Sequence, residues 1–277
     1  MDDSHSYLME DPEESQRLVI KTDVAAVRHQ AQLCGIGAGK RVLDVGCGSG
    51  KVTSILHETV QPNGSVVGID FSRERIEYAR EHFGNKPGIE FRVMDFTKPL
   101  GDIGQFDFIW IRFILEYFLK ESFDIVRNLI PYLRSEGCLC LIDLDYNCQS
   151  HYQMPPQMED ILRKLTALMI EQYNFDPYVG RKLYSYLYDL GFRDIEVHLL
   201  PHHLIYGEVR SSDHFNWIKK LHMASVKAKD IFKSYPGGFD GYLDDFVKFF
   251  DDPRRFTYTP LMVCRGKRPF AADGSNS

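Results

Sequence analysis

Short apolar runs alternate with segments of helical periodicity along the first half of the chain. The first run, 42–45, is continuous enough for a strand buried on both faces. After it, apolar residues recur every three or four positions from Val52 to Val60, which predicts an amphipathic helix. This alternation is typical of a parallel α/β sheet. The predicted strands of this half are 42–45, 65–70, 89–94, 106–111 and 137–143.

Two further strands are predicted in the second half of the chain. Residues 194–200 and 256–264 have the apolar character of strands, and a helical pattern at 180–191 precedes the first of them. An earlier helix is predicted over 121–134, before the fifth strand. Together these elements predict one α/β domain over 1–277, with helices on both faces of a single sheet.

Three segments lie outside this minimal sheet, and we expect each to form a helical cap. Residues 1–36 contain a helix predicted to begin near Pro12. In 147–176 a methionine-rich stripe repeats at helical spacing, which fits a core element, a lid over a pocket, or both. Residues 207–253 predict two helices, the first capped by 211–213. Its apolar face is predicted to carry Phe215, Ile218, Leu221 and Val226.

A glycine-rich turn follows the first strand directly. Gly46, Gly48 and Gly50 allow the backbone to turn sharply and to approach a ligand closely. The helix that begins at Lys51 then points its free N–H groups at that ligand, as in nucleotide-type sites. The spacing is G-x-G-x-G, and Lys51 stands where a dinucleotide fold would need its third glycine. The turn therefore favours a ligand other than a dinucleotide.

Acidic residues mark the ends of the first three predicted strands. Asp44, Asp70 and Asp95 are all expected at the carboxyl edge of the sheet, where open α/β sheets bind their ligands. Asp70 is suited to accept two hydrogen bonds from the vicinal hydroxyls of a ribose. The alternative for such residues is a local role as a cap or turn former. Three acids at one edge are better explained by a ribosyl ligand than by three separate local turns.

The stretch from Val42 to Gly50 matches the first motif of the class I S-adenosylmethionine-dependent methyltransferases at every position, so the chain resembles this family. The resemblance implies a Rossmann-like, seven-stranded, mostly parallel sheet whose last strand is antiparallel. It also implies S-adenosylmethionine as cofactor and S-adenosylhomocysteine as product. The implied reaction transfers a methyl group to an oxygen, nitrogen or carbon nucleophile of a small, partly apolar molecule, by proximity and alignment in a capped pocket.

The resemblance divides the domain into parts. It covers 38–145 well, the elements within 178–200 and 256–265 loosely, and the caps not at all. Residues 37–146 form the cofactor-binding half, and the caps at 147–176 and 207–253 are expected to select the substrate. The tail, 268–277, is polar and is predicted to be flexible.

The resemblance also assigns cofactor contacts. In this family the acidic residue that corresponds to Asp95 accepts a hydrogen bond from the adenine amino group. The backbone N–H of the adjacent residue donates to a ring nitrogen of the adenine. Phe71 either lies against the adenine or packs in the core. The predicted cofactor-binding residues are Asp44, Gly46, Cys47, Gly48, Ser49, Asp70, Phe71, Met94, Asp95, Phe96 and Arg112.

Arg112 is a cation directly after an apolar strand, so it needs a partner. It is expected either to orient the cofactor carboxylate or to pair with Asp143 or Glu116, with the ion pair favoured. The family commonly has histidine where Tyr117 stands, so no catalytic residue is assigned. The predicted substrate-pocket residues are Tyr7, Arg17, Phe113, Glu116, Tyr117, His151 and Tyr152.

The composition of the chain indicates which binding partners and which cellular compartment to expect. The net charge of −6 argues against a sequence-independent grip on nucleic acid, which needs a basic patch. No apolar run is as long as the roughly 18 residues of a membrane span, and the acidic N-terminus is unlike a secretory signal. We therefore expect a cytoplasmic protein, monomeric or homodimeric, that acts on a small molecule and contacts neither nucleic acid nor membrane.

The spacing of the cysteines, histidines and paired acids does not predict a metal site. The six cysteines lack C-x-x-C pairs and are predicted to be mainly small buried residues of a reducing compartment. Asp143 and Asp145 have no evident third ligand. His198, His202 and His203 are interpreted as structural or surface residues, since adjacent side chains on an extended chain point apart.

Two other function classes remain open at this stage. A nicotinamide-dependent oxidoreductase would share Asp70, but the glycine spacing and the lack of a Tyr-x-x-x-Lys relay oppose it. A non-catalytic module that binds S-adenosylmethionine or S-adenosylhomocysteine and regulates a partner would keep the same acids. Cofactor residues alone do not separate that module from an enzyme.

Overall fold

The computed structural model describes Val19 and residues 22–270, which form an eight-stranded sheet. The first five strands are parallel in the order β3-β2-β1-β4-β5, and β8 continues the sheet antiparallel to β5. Strand β7 pairs antiparallel with the outer side of β8. The strands are β1 Arg41–Val45, β2 Ser65–Asp70, β3 Ile89–Val93, β4 Phe106–Arg112, β5 Leu133–Leu144, β6 Ser150–His151, β7 Arg193–Tyr206 and β8 Phe256–Lys267.

Helices connect the strands and build the caps. Two helices are capped by the side chain of the residue before them: Asp23 Oδ1 accepts from Ala26 N at 3.0 Å, and Ser72 accepts from Arg75 N at 3.3 Å. The helices are α1 Val24–Leu33, α2 Lys51–Thr59, α3 Arg73–Phe83, α4 Ser122–Leu129, α5 Pro156–Tyr173, α6 Leu183–Asp189, α7 Ser211–Lys227, α8 Lys229–Phe232 and α9 Gly238–Asp251, with 3₁₀ turns at Leu115–Tyr117, Ile130–Tyr132 and Val179–Lys182.

The predicted mostly parallel sheet with an antiparallel last strand is confirmed. The sequence did not predict β6, a two-residue strand that pairs with Thr257 and Tyr258 of β8. The helix expected over 121–134 ends early at Leu129, because Pro131 lacks the N–H that a helix interior requires. Strand β7 is longer than expected, because a register shift beside Pro201 lets the strand continue to Tyr206.

The described residues form four hydrophobic clusters, of which the smallest packs Ile76 and Ala79 of α3 against Ile89 and Phe91 of β3, and the other three lie in three layers. One covers the sheet face that packs on α4 and α6, and a second covers the opposite face, which packs on α1 and α2. The third cluster joins the two caps, since Met158 and Ile161 of α5 pack with Trp217 of α7 and Phe246 of α9. The segments that flank β7 therefore form one helical cap with a core of its own.

The predicted cap helices exist, but three details differ. Helix α7 begins at Ser211 after Arg210 and has no side-chain cap, so the expected capping by 211–213 is wrong. Phe215 and Val226 are 65% and 72% exposed and do not belong to the apolar face, which is built by Trp217 and Leu221. The single helix expected from Pro12 through Thr22 toward Leu33 is wrong in its described part, because Thr22 and Asp23 are not helical and Asp23 caps a separate helix, α1. Its first part, 12–18, and with it Tyr7 and Arg17, lies outside the described residues, as does 271–277.

Candidate functional site

A cavity of about 1840 Å³ lies at the carboxyl ends of β1, β2 and β4, under helix α1 and the cap. The ends of these parallel strands meet at one edge, so residues distant in sequence come together there. The predicted residues that line this cavity are Gly46, Cys47, Gly48, Ser49, Asp70, Phe71, Asp95, Phe96, Arg112, Phe113, Glu116 and Tyr117.

The glycine turn is fixed to the end of β2. The backbone N–H groups of Gly46 and Cys47 both donate to Ile69 O, at 2.8 and 2.9 Å. Gly46 has a φ of 71°, and a Cβ there would stand 2.2 Å from Ile114 Cδ1, so any other residue would be strained and would have to displace the Ile114 side chain. The turn thus leads into the N-terminus of α2 beside the cavity.

Asp70 both holds this turn and lines the cavity. Its Oδ2 accepts from Gly48 N at 2.9 Å, and its Oδ1 accepts from Ser72 N at 2.9 Å. The residue is 2% exposed; burial raises its pKa, while these N–H groups and Arg75 oppose the rise. A carboxylate offers about four acceptor sites, so two remain for ligand hydroxyls. The local turn role and the ligand role are therefore compatible.

Asp44 and Met94 lie behind the cavity wall rather than in it. Asp44 Oδ2 accepts from Thr53 Oγ1 at 2.6 Å, which ties the end of β1 to helix α2. Burial raises the pKa of Asp44 to about 7, although Thr53 and Arg112 oppose the shift. Met94 N donates to Asp70 O at 2.9 Å, so both residues support the lining from outside.

Asp95 and Phe96 line the cavity in different ways. Asp95 Oδ1 accepts from Thr97 Oγ1 at 2.6 Å, and Lys98 Nζ lies 2.7 Å from Oδ2. Although burial opposes it, these contacts lower the pKa of Asp95, which keeps the carboxylate ionised. Phe96 is 1% exposed, and its ring lies 6.2 Å from that of Phe71. The two rings form an apolar wall next to an acid.

Arg112 is held by a partner that the sequence did not reveal. Its Nε donates to Gln30 Oε1 of helix α1 at 2.8 Å, and its guanidinium lies 4.0 Å from the centre of the Phe113 ring. Burial lowers its pKa to about 10, against the attraction of Asp44 and Asp143. The expected close ion pair with Asp143 or Glu116 is wrong. The charge of Asp143 attracts the Arg112 guanidinium, but the hydrogen-bond partner of that guanidinium is Gln30.

Two buried carboxyls stand side by side beyond Arg112. Glu116 is 4% exposed and accepts from Asn147 Nδ2 at 2.8 Å. Asp143 accepts from the backbone N–H of Leu144 at 2.9 Å, and Glu116 N donates to its other oxygen at 3.3 Å. Burial and the charge of Glu116 raise the pKa of Asp143 well above its usual range. Glu116 therefore faces the cavity with a protonatable neighbour behind it.

The other predicted substrate-pocket residues lie in different places. Phe113 and Tyr117 line the large cavity, whereas His151 lines a second, smaller cavity and Tyr152 is 61% exposed and lines neither. His151 and Tyr152 leave the large cavity because β6 turns the chain onto the start of β8.

His202 and His203 are cavity residues that sequence reasoning missed. Both line the large cavity, with ring centres 4.3 Å apart, so the expectation that they point apart is wrong. The register shift between Pro201 and His203 breaks the alternation of the strand. Pro201 was the signal, since proline inside a strand marks an irregularity.

Metal and membrane features are absent from the part of the chain that the structure describes. No three histidine, cysteine or acidic side chains stand close enough to share a metal ion there. None of the helices within Val19 and 22–270 is long and apolar enough to cross a bilayer. All six cysteines are free, and burial raises the pKa of Cys47 well above its usual range, so its thiol stays neutral.

Comparisons with known proteins agree with this geometry. A family profile described as methyltransferase domain matches residues 36–190, more than half of the chain. Juvenile hormone acid O-methyltransferase of Bombyx mori is 37% identical over 107 residues, 37% of this chain and 38% of that protein. A Bacillus halodurans crystal structure has a TM-score of 0.60 at 16% identity and covers 88% of this chain and 99% of its own.

A further solved structure is phosphoethanolamine N-methyltransferase 2 of Haemonchus contortus in complex with S-adenosyl-L-methionine. Its TM-score is 0.53 at 15% identity, over 88% of this chain and 52% of that one. The structural similarities show the fold, and the chain spans about a third to a half of the length of the curated relatives it matches. Because the family profile covers strands β1 to β5 and the glycine turn, the chain belongs to the methyltransferase-domain family of class I S-adenosylmethionine-dependent methyltransferases.

Proposed function

We propose that this chain transfers a methyl group from S-adenosylmethionine to a small molecule bound in the large cavity. The observation that carries the proposal is the position of Asp70, a buried carboxylate that lines the cavity next to the glycine turn. When bound, the cofactor supplies an activated methyl group on a sulfonium. The chain itself has to bind, align and shield the two reactants.

The described residues fit such a cofactor. Asp70 has acceptor sites left for the two ribose hydroxyls, and the rings of Phe71 and Phe96 offer an apolar wall for the adenine. Asp95 is ionised beside that wall and is suited to accept from an amino group. The glycine turn gives the amino-acid tail close access to backbone N–H groups at the start of α2.

The acceptor side of the cavity is formed by residues beyond β4 and by β7. Tyr117 and the pair His202 and His203 line it, together with residues of the cap. A carboxylate acceptor needs no base, whereas a hydroxyl or an ammonium acceptor has to lose a proton. We assign no catalytic residue, since alignment alone supports the transfer.

Calorimetric titration with S-adenosylmethionine, S-adenosylhomocysteine and NADH in parallel tests the cofactor. We expect micromolar binding of the first two and none of NADH. Binding of NADH alone would overturn the proposal in favour of an oxidoreductase. A protein that binds the first two but releases no S-adenosylhomocysteine with any of a panel of small carboxylates, amines and phenols would favour the regulatory module instead.

A further inference from the structure

A second cavity of about 190 Å³ lies inside the helical cap, between α5, α7 and α9. It is lined by the cap core, which the two caps build together. Most residues of its wall belong to the cap helices and their loops rather than to the strands of the sheet. The apolar side chains around it include Met154, Leu162, Leu165, Met169, Leu221 and Phe246.

Thr166 and His151 of this wall already have hydrogen-bond partners, whereas the buried Nε1 of Trp217 has none among the described residues. Thr166 Oγ1 donates to Leu162 O at 2.9 Å within its own helix. His151 contacts Thr257 Oγ1 at 2.9 Å through one ring nitrogen and Cys148 O at 3.2 Å through the other. Burial lowers the pKa of His151 to about 4, so the ring is neutral at physiological pH. The cavity therefore offers a ligand mainly apolar contact.

The two cavities adjoin each other. The residues that line both are drawn from the two ends of the first cap and from helix α7, so the two spaces meet at these side chains. A ligand that fills the small cavity thus has its other end at the large one. The shared residues are Asn147, Cys148, Phe175, Trp217 and Lys220.

Positive charge stands at this boundary. Lys220 Nζ lies 3.2 Å from Cys148 Sγ and 5.0 Å from the centre of the Trp217 ring. Lys227, two helical turns further along α7, also lines the small cavity. No carboxylate is among the described residues that line this cavity. Glu116 contacts the boundary residue Asn147 from the large cavity, so it is the Lys220 side of the boundary, next to the small cavity, that favours an anionic group on the ligand over a cationic one.

We propose that the methyl acceptor is an amphiphile whose apolar chain occupies the small cavity and whose anionic group lies near Lys220. This inference rests on the proposed function, because it names the substrate class of the same site. At about 30 Å³ for a water-sized group, 190 Å³ holds roughly six methylene-sized groups. The chain is therefore of medium length.

Calorimetric titration with straight-chain alkanoates from butanoate to dodecanoate tests the chain, with and without bound S-adenosylhomocysteine. We expect the affinity to rise about fourfold for each added methylene until about six carbons are buried, and to level off beyond. Alkylamines of equal length should bind more weakly than the alkanoates. An affinity independent of chain length, or tighter binding of the amines, would overturn the inference.

A substitution that fills the cavity provides the structural control. Ala224→Phe places a ring in the small cavity and should abolish the dependence on chain length; Ala224→Leu is the milder variant if the first fails to fold. Val226→Phe adds the same ring to the same helix at a position 72% exposed and should bind like the parent protein. A full chain-length dependence in both Ala224 variants would contradict the proposed location.

The same titrations separate the two proposals. If S-adenosylhomocysteine does not bind, the proposed function fails, while the alkanoate series still reports on the small cavity. If S-adenosylhomocysteine binds but the alkanoate series is flat, the proposed function stands and the amphiphile is wrong.

Discussion

Asp70 shows how one side chain serves both the fold and the candidate site. Its two oxygens accept the N–H groups of Gly48 and Ser72, so the strand end, the glycine turn and the next helix are tied together. The same carboxylate lines the large cavity. A substitution here changes stability and ligand binding together, and an experiment has to separate the two effects.

We expect Asp70→Ala to weaken S-adenosylhomocysteine binding by about 1–3 kcal/mol, about 5- to 150-fold in Kd. The reason is the loss of charge-assisted hydrogen bonds to buried hydroxyls. Asp107→Ala is the matched control, since Asp107 accepts the Arg41 backbone N–H at 2.8 Å but does not line the cavity. Calorimetry on both folded variants checks this, and equal losses would contradict the ribose role.

Asp44 makes stability depend on pH. Burial raises its pKa from 3.8 to about 7 in the folded protein, so the folded state holds a proton that the unfolded chain has released over this range. Its contribution to stability therefore falls as the pH rises from about 4 to about 7, by at most about 1.4 kcal/mol per pH unit. We expect Asp44→Asn to remove this part of the pH dependence.

Urea denaturation at several pH values between 4.5 and 6.5 measures the effect. The unfolding free energy of Asp44→Asn should fall less steeply with pH than that of the parent. Asp107→Asn is the control: although burial opposes it, the Arg41 N–H and Arg134 lower the pKa of Asp107, so its titration lies below this range. Parallel slopes for the parent and Asp44→Asn would show that Asp44 does not titrate there.

At the scale of elements, Arg255 joins the cap to the sheet. It is 2% exposed, and its guanidinium donates to three backbone carbonyls: Phe250 O at 2.8 Å, Ile205 O at 2.6 Å and Gly207 O at 3.1 Å. These carbonyls belong to the end of α9 and to the end of β7 and the residue beyond it. One planar side chain thus fixes how the last cap helix meets the sheet.

We expect Arg255→Lys to lower the unfolding free energy by about 2–4 kcal/mol, because an ammonium cannot reach three carbonyls in the geometry of a guanidinium. Arg254→Lys is a control one residue away, in an exposed ion pair with Asp252. That change should cost less than about 1 kcal/mol. Chemical denaturation compares the two, and similar losses would argue against the joining role.

The elements that the sequence predicts correctly are those fixed by local patterns. The glycine turn and the positions of the strands along the chain depend on neighbouring residues. The partner of Arg112 did not follow from the sequence, because Gln30 lies 82 positions away on another element. His202 and His203 differ from the expectation that they point apart, because the chain around Pro201 is not a regular strand.

For the molecule as a whole, the cap and the sheet differ in how they are stabilised. Strands β1 and β4 are covered on both faces by separate clusters, whereas the cap helices depend on one cluster of their own. We expect amides of α7 to exchange with deuterium faster than those of β1 and β4, since opening the cap costs less than opening the sheet.

Hydrogen–deuterium exchange with and without octanoate measures this difference. Binding of the alkanoate in the small cavity should slow exchange in α5 and α7 and leave β1 unchanged. Helix α4, which packs on the sheet, is the internal control. Equal protection of α7 and β1 in the free protein would contradict the weaker coupling of the cap.

The position of β8 has a consequence for synthesis on the ribosome. Among the described strands β8 is the last along the chain, yet it lies between β5 and β7, and Leu144 pairs with Leu261. Until residues 256–267 emerge, the nascent chain exposes two unpaired strand edges, which are prone to associate with other chains. The sheet therefore closes late, and the growing polypeptide has to be protected from aggregation until nearly the whole of its described length has been made.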